Sequence, residues 1–161
     1  MQHKIVPNLW FDTEAEEAAT FYTSVFENAR IVTVTHYTDA GPREPGMVMT
    51  VEFELDGQRF VGINGGPQFT FDEAVSFQIT CETQDEVDFY WEKLSEGGKE
   101  GPCGWLKDRF GLSWQVVPSG MDELFADPDP ERAERAMKAM LAMGKLDIAA
   151  LRNAADGVTT S

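Results

Sequence analysis

The sequence predicts an α+β chain: two successive units that each open on a strand and a helix, then a helical tail. Three observations predict it. Short runs that alternate apolar and polar residues, the mark of half-buried strands, occur in both halves. In each half the first such run precedes apolar residues at helical spacing: Ala18, Phe21, Tyr22, Val25 and Phe26 in one, Val87, Tyr90, Trp91 and Leu94 in the other. After Pro118 the composition changes to an acidic break, Asp127-Pro128-Asp129-Pro130, and a Met-rich stripe. What recurs between the halves is the order of elements rather than residue identity, and it reads as an internal duplication.

In the first half, Lys4 to Phe11 is an apolar run, and Pro7 within it lacks a donor, which places this strand at an edge or leaves it paired on one side. Asp12 or Thr13 is expected to cap a helix through about Glu27, and Thr13 with Glu16 fits a capping box. Ala29 to Thr38 alternates as a second strand. Met47–Leu55 and Gln58–Asn64 then flank Asp56-Gly57, a two-residue hairpin signal. Asn64-Gly65-Gly66-Pro67 breaks the pattern and links the halves.

The second half is terser. Val75 to Cys81 alternates as a strand, and Thr83 or Asp85 starts a helix through Ser95, stopped by Gly97-Gly98. Gly101–Lys107 and Leu112–Val117 are two arms around a turn at Asp108–Gly111, where the Asp bonds its own turn and the Gly accepts unusual backbone angles. On the last arm Ser113, Gln115 and Val117 share one face, and Leu112, Trp114 and Val116 the other. In the tail, Asp129 caps a helix with Pro130 at its first position. Ala133, Met137, Met140 and Leu141 form its apolar stripe, a short helix follows from Asp147 to about Asn153, and residues 157–161 are expected to be loose. Such a stripe cannot be buried alone, so it packs on the sheet domain or on a second copy. The expected divisions are 1–66, 67–120 and 121–161, within one structural domain.

The totals exclude several classes. At 161 residues, 42% hydrophobic and 25% charged, the composition is that of a globular protein. A formal charge of −15 argues against nucleic acid as a partner and disfavours anionic membranes. There is no apolar run of about 18 residues and no charged-then-apolar leader, so a cytoplasmic address is expected. Two cysteines, Cys81 and Cys103, make neither a disulfide framework nor a metal cluster.

Several stretches carry a resemblance. They are Leu9-Trp10-Phe11-Asp12, Ala18 with Phe21-Tyr22, the run Val48 to Gly57, and Asn64-Gly65-Gly66-Pro67 with Phe69 and Phe71. Cys81-Glu82-Thr83-Gln84, Cys103 to Asp108, Ser113-Trp114-Gln115 and Asp127-Pro128-Asp129-Pro130 extend it. With the duplicated strand–helix–strand–strand–strand plan, the chain resembles the PhnB-like branch, labelled 3-demethylubiquinone 3-methyltransferase-like, of the vicinal oxygen chelate superfamily. The resemblance implies the glyoxalase/bleomycin resistance/dioxygenase fold: two βαβββ modules with curved mixed sheets, here with C-terminal helices added. Metal-using members of that superfamily hold a divalent ion on His and Glu inside the sheet. The position of their commonest Glu is Gln115 here, and Asn8 and Gln78 stand where a His is expected. Neutral amides are poor ligands for such cations. The expectation is therefore no metal and no cofactor. A methyl-donor site of Rossmann type would need a Gly-rich strand–turn–helix, and Gly62–Gly66, with Pro67 next, is not one.

The candidate site is a ligand-binding one, with catalytic residues unknown. Asn8, Asn64, Gln78 and Gln115 are uncharged amides suited to directional hydrogen bonds with a small organic molecule in a sheet-lined cavity. Their alternative role is to satisfy buried backbone. Trp10, Phe69 and Trp105, with Phe71, are candidate walls for a planar ligand or ordinary packing residues. Cys103 lacks a basic partner for a nucleophile's role. Lys107 and Arg109 beside the turn attract an anion to the rim or belong to a solvated turn, and His36 is a lone strand-end residue. A homodimer is expected, burying the Met-rich tail and the edge strands.

Overall fold

The computed structural model describes residues 3–158; the expectation for the chain end falls partly on residues 159–161, outside them. The chain divides into two compact units, Met1–Phe71 and Asp72–Ser161. The first runs β1 (Asn8–Phe11), α1 (Ala15–Val25), β2 (Arg30–His36), β3 (Val48–Leu55) and β4 (Gln58–Asn64). Its sheet has the order β1-β4-β3-β2. β1 is parallel to β4, and the other pairs are antiparallel. As Pro7 predicts, β1 is an edge strand paired on one side.

Alternation puts Leu9, Phe11, Val51, Phe53, Leu55 and Phe60 on one buried face, and α1 covers it. Ala15, Ala18, Ala19, Tyr22 and Val25 are its buried residues, and the Tyr22 ring stacks 6.1 Å from Phe53. Gly62 permits the close approach, since a Cβ there would lie 3.2 Å from that of Ala15. At the hairpin, Asp56 and Gly57 both have positive φ, 50° and 78°, the geometry that a two-residue turn between twisted strands demands.

The start of α1 corrects one expectation. The predicted Thr13–Glu16 capping box does not form; the N-cap is Glu14, with no side-chain cap bond. Asn64 supplies the acceptor instead, its Oδ1 taking the Ala15 N–H at 2.8 Å while its Nδ2 donates to Val48 O at 3.1 Å. A tertiary contact thus replaces a local one, because the end of β4 lies beside the helix start.

The second unit repeats the plan with β5 (Ser76–Cys81), α2 (Gln84–Ser95), β6 (Lys99–Glu100), β7 (Trp105–Lys107) and β8 (Ser113–Pro118), in the order β5-β8-β7-β6. β5 is parallel to β8. Thr83 caps α2 as predicted, accepting from Glu86 N–H at 3.2 Å. The predicted arm Gly101–Lys107 is only a strand from Trp105. Gly101 N–H donates to Trp105 O at 2.9 Å across a turn in which Cys103 and Gly104 have positive φ. The strand missing from the sequence reading is Lys99–Glu100, two polar residues with no alternation to show. Asp108 is 2% exposed, and its carboxylate accepts from the N–H groups of Phe110 (2.8 Å) and Leu112 (3.1 Å) and from Trp114 Nε1 (2.9 Å). That carboxylate fixes the turn into β8.

The tail forms α3 (Met121–Phe125), α4 (Pro130–Leu141) and α5 (Ile148–Ala155), all part of the second unit. Asp129 caps α4 with Pro130 in its first turn, as predicted. Met121, Leu146 and Leu151 form a buried cluster with Met140, Met143 and Val117 against it. Gln84 at the start of α2 ties the tail down from both ends of its amide, donating to Leu146 O (3.0 Å) and accepting from Ile148 N–H (2.8 Å). Of the predicted stripe, Met140 packs against that cluster and Ala133 is half-buried, while Met137 and Leu141 remain exposed. Among the described residues, no helix is long and apolar enough to cross a membrane.

Asn64→Ala leaves two buried backbone groups without partners and should cost about 2–4 kcal/mol in urea unfolding followed by circular dichroism. The exposed Asn8→Ala should cost less than about 0.5 kcal/mol. Equal effects at the two positions would refute the assigned role of Asn64.

Candidate functional site

In the second unit α2 packs on one side of the sheet, through Val87, Trp91 and Leu94. Trp114, Val116 and Leu106 are buried there. Strand alternation then commits Ser113, Gln115 and Val117 to the opposite face. Register does the rest. Gln78 on β5 pairs with Gln115 on β8, which pairs with Trp105 on β7, so three residues singled out in the sequence stand in one row across the sheet. The neighbouring row is Ser76, Ser113, Lys107 and Lys99.

The rows are linked. Gln115 Nε2 donates to Ser76 Oγ at 2.9 Å, and Gln78 Nε2 donates to Thr80 Oγ1 at 3.3 Å. Both amide nitrogens are thereby engaged by hydroxyls on their own face. Lys107 forms an ion pair with Glu73. The hydrogen bond from Lys107 holds the Glu73 carboxyl below its ordinary range, and Lys99 adds a smaller attraction. The pair therefore persists above the ordinary carboxylate range and is lost as pH falls through the lowered value. Ser113, 1% exposed, has a buried Oγ with no hydrogen-bond partner among the described residues.

In the first unit, Asn8 and Trp10 occupy the face of β1 opposite Leu9 and Phe11. Asn8 is exposed, its Nδ2 donating to Val6 O at 3.0 Å. Trp10 Nε1 donates to Gly66 O at 2.9 Å, and its ring meets Phe69 edge-on at 5.0 Å. Gly65 is obligatory there, because a Cβ would lie 2.2 Å from the Trp10 ring. Phe69 is 65% exposed, whereas Phe71 packs on Phe11 at 5.3 Å. Asn64 is on the helix-covered face, 2% exposed, with both ends of its amide bonded to backbone. The structure therefore groups Gln78, Gln115 and Trp105 in one row and Trp10 with Phe69 in another patch, and it turns Asn64 toward the core of its unit.

Other candidates recede. Cys81 is buried and its thiol is pushed up to about 11 by that burial, so it holds almost no thiolate at neutral pH. Cys103 sits in the turn before β7, its N–H bonded to Met143 O at 2.8 Å. His36 is exposed at the end of β2.

The donor set does not fit a tightly held divalent cation. Gln78 and Gln115 are neutral amides, and no three His, Cys, Asp or Glu side chains converge among the described residues. A cleft of about 380 Å³ lies in the second unit among Pro118, Met121, Leu124, Arg132 and Leu151. A surface hollow of about 300 Å³ lies by His3, Ile5 and Gln58 in the first. Neither includes the amide row. Sequence reasoning did not name Ser76 or Ser113 among the candidates. Alternation put Ser113 beside Gln115, but only the parallel register of β5 on β8 brings Ser76 to them.

The model of the family described as 3-demethylubiquinone-9 3-methyltransferase matches residues 3–117. Among solved structures, a putative 3-demethylubiquinone-9 3-methyltransferase, PhnB protein, from Bacillus cereus is 37% identical with a TM-score of 0.65, covering 73% of this chain and all 100% of that one. A protein from Pseudomonas aeruginosa is 19% identical with a TM-score of 0.60, covering 73% of this chain and 98% of its own. The fosfomycin resistance protein FosX from Mesorhizobium loti is 14% identical with a TM-score of 0.54, covering 78% and 98%. These last two show the fold alone, the glyoxalase/bleomycin resistance/dioxygenase fold that the resemblance implied. No curated protein matches the chain.

Ser113→Ala removes a buried hydroxyl that has no partner, so it should leave stability unchanged or raise it by about 1 kcal/mol. A loss of more than about 1 kcal/mol in chemical denaturation would show that the hydroxyl is already satisfied.

Proposed function

This chain belongs to the 3-demethylubiquinone-9 3-methyltransferase family, the PhnB-like branch, and from that premise we propose that it binds a small organic molecule against the face of its second sheet opposite α2. The observation that carries the reading is the row Gln78–Gln115–Trp105: two carboxamides and an indole in register across three neighbouring strands. The amides give directional hydrogen bonds and the indole a flat apolar wall, the combination that orients a planar polar ligand. Asn8, Trp10 and Phe69 offer a second patch of the same chemistry on the first unit. Asn64 is spent on backbone and drops out of the binding set.

Binding needs no tightly held metal on this reading, because the positions that would chelate one carry amides. The methyl-transfer label attached to the family comes without a donor site of its usual kind, since Gly65 and Gly66 follow β4 and lead to another strand rather than a helix. The reaction, if the bound molecule undergoes one, is left unassigned. The working form is a homodimer in the cytoplasm; exposed Met137 and Leu141 on α4 and the one-sided edge strands support the first part, and two free thiols the second.

Ligand-observed NMR with a panel of small planar carbonyl compounds tests the reading. Gln115→Ala and Trp105→Leu should each weaken hits at least tenfold, about 1.4 kcal/mol, with unchanged circular dichroism. Hits indifferent to both changes would sink it. Protein purified without added metal should carry far less than one equivalent; stoichiometric zinc, nickel, manganese or iron would overturn the metal-free part. Sedimentation should return twice the chain mass.

A further inference from the structure

We propose that the row Ser76–Ser113–Lys107–Lys99 is an oxyanion subsite of that ligand surface, taking the carboxylate or phosphate of a molecule whose planar part lies along Gln115 and Trp105. The inference rests on the binding reading above and names the substrate class it implies.

Three observations converge. Ser113 Oγ is buried without a partner among the described residues, and a buried hydroxyl left so is uncommon enough to point to a missing acceptor. Its neighbours in register, Ser76 and Lys107, stand on either side of it. Ser76 Oγ already accepts from Gln115, which leaves its own proton to donate. Lys107 and Lys99 lie directly opposite one another on β7 and β6, an unfavourable placement for like charges. Glu73 is the carboxylate that meets Lys107 and attracts Lys99, so two cations share one anion in a chain whose formal charge is −15.

The chemistry is an exchange of acceptors. Glu73 is mostly exposed and gives up little when it leaves Lys107 for water. An incoming oxyanion takes the ammonium and accepts from the Ser76 hydroxyl and from that of Ser113, which has no partner among the described residues. The rows of Ser113 and Gln115 are two residues apart along β8, about 6.6 Å, a span that one aromatic acid bridges.

Titrating isotope-labelled full-length chain with sodium benzoate, benzamide and inorganic phosphate, at matched ionic strength against sodium chloride, tests this. Benzoate or phosphate should shift the backbone amide signals of Ser76, Ser113 and Lys107; which anion binds tells carboxylate from phosphate. Lys107→Gln should weaken the effective anion at least tenfold. Glu73→Gln removes the internal competitor and should tighten it several-fold. Anions that leave those signals still, a chloride control that moves them equally, or binding that survives Lys107→Gln unchanged would each overturn the subsite. Benzamide separates the two readings. If it binds through Gln115 and Trp105 while both anions are ignored, the binding surface stands and the subsite falls; if none of the three binds, both fall.

Discussion

Each unit depends on the parallel pairing of its opening strand with its closing one. β1 lies on β4 and β5 on β8, with the helix between them packed on a single face of the sheet. A parallel pair requires a long crossover, and covering one face with that crossover assigns every alternate residue to the other. Gln78 stands next to Gln115 for this reason, although 37 positions separate them in sequence. The same geometry in the first unit brings Asn8 beside Val61. One duplicated frame therefore carries a polar row in one copy and a mixed one in the other.

Carboxamides have opposite duties according to the face they occupy. On the covered face Asn64 completes a helix start and a strand end, and its backbone carbonyl also accepts from the Tyr37 hydroxyl at 2.7 Å. On the face opposite α2 Gln115 donates to a serine hydroxyl. Gln84 belongs to the first kind, bonding both sides of a loop 62 to 64 residues away. Residue type alone does not distinguish these duties; the direction of the side chain does.

Much of the frame was legible because its signals are local. Asp56-Gly57 turned where such a pair turns, Thr83 and Asp129 capped where they were read, and the apolar stripes found their sheets. The failures were of range. Thr13 and Glu16 had the spacing of a capping box, but a residue 49 positions on took the helix N–H first. Lys99-Glu100 pairs with β7 by backbone bonds that two polar residues do not advertise. Within the site, Gln78, Gln115 and Trp105 were named from pattern and resemblance. Ser76 and Ser113 became visible only through register, and Asn64 took the alternative left open for the amides, satisfying buried backbone.

The tail beyond residue 117 lies outside the family match, and its helices belong to the second unit alone. The tryptophans are divided just as unevenly: Trp10 is in the first unit, while Trp91, Trp105 and Trp114 are in the second. Trp91 and Trp114 are buried with their indole N–H groups on carboxylates, and Trp105 stands in the amide row. Intrinsic fluorescence is therefore weighted toward the half that holds that row, and a chain keeping only Trp10 would report optically on the other half.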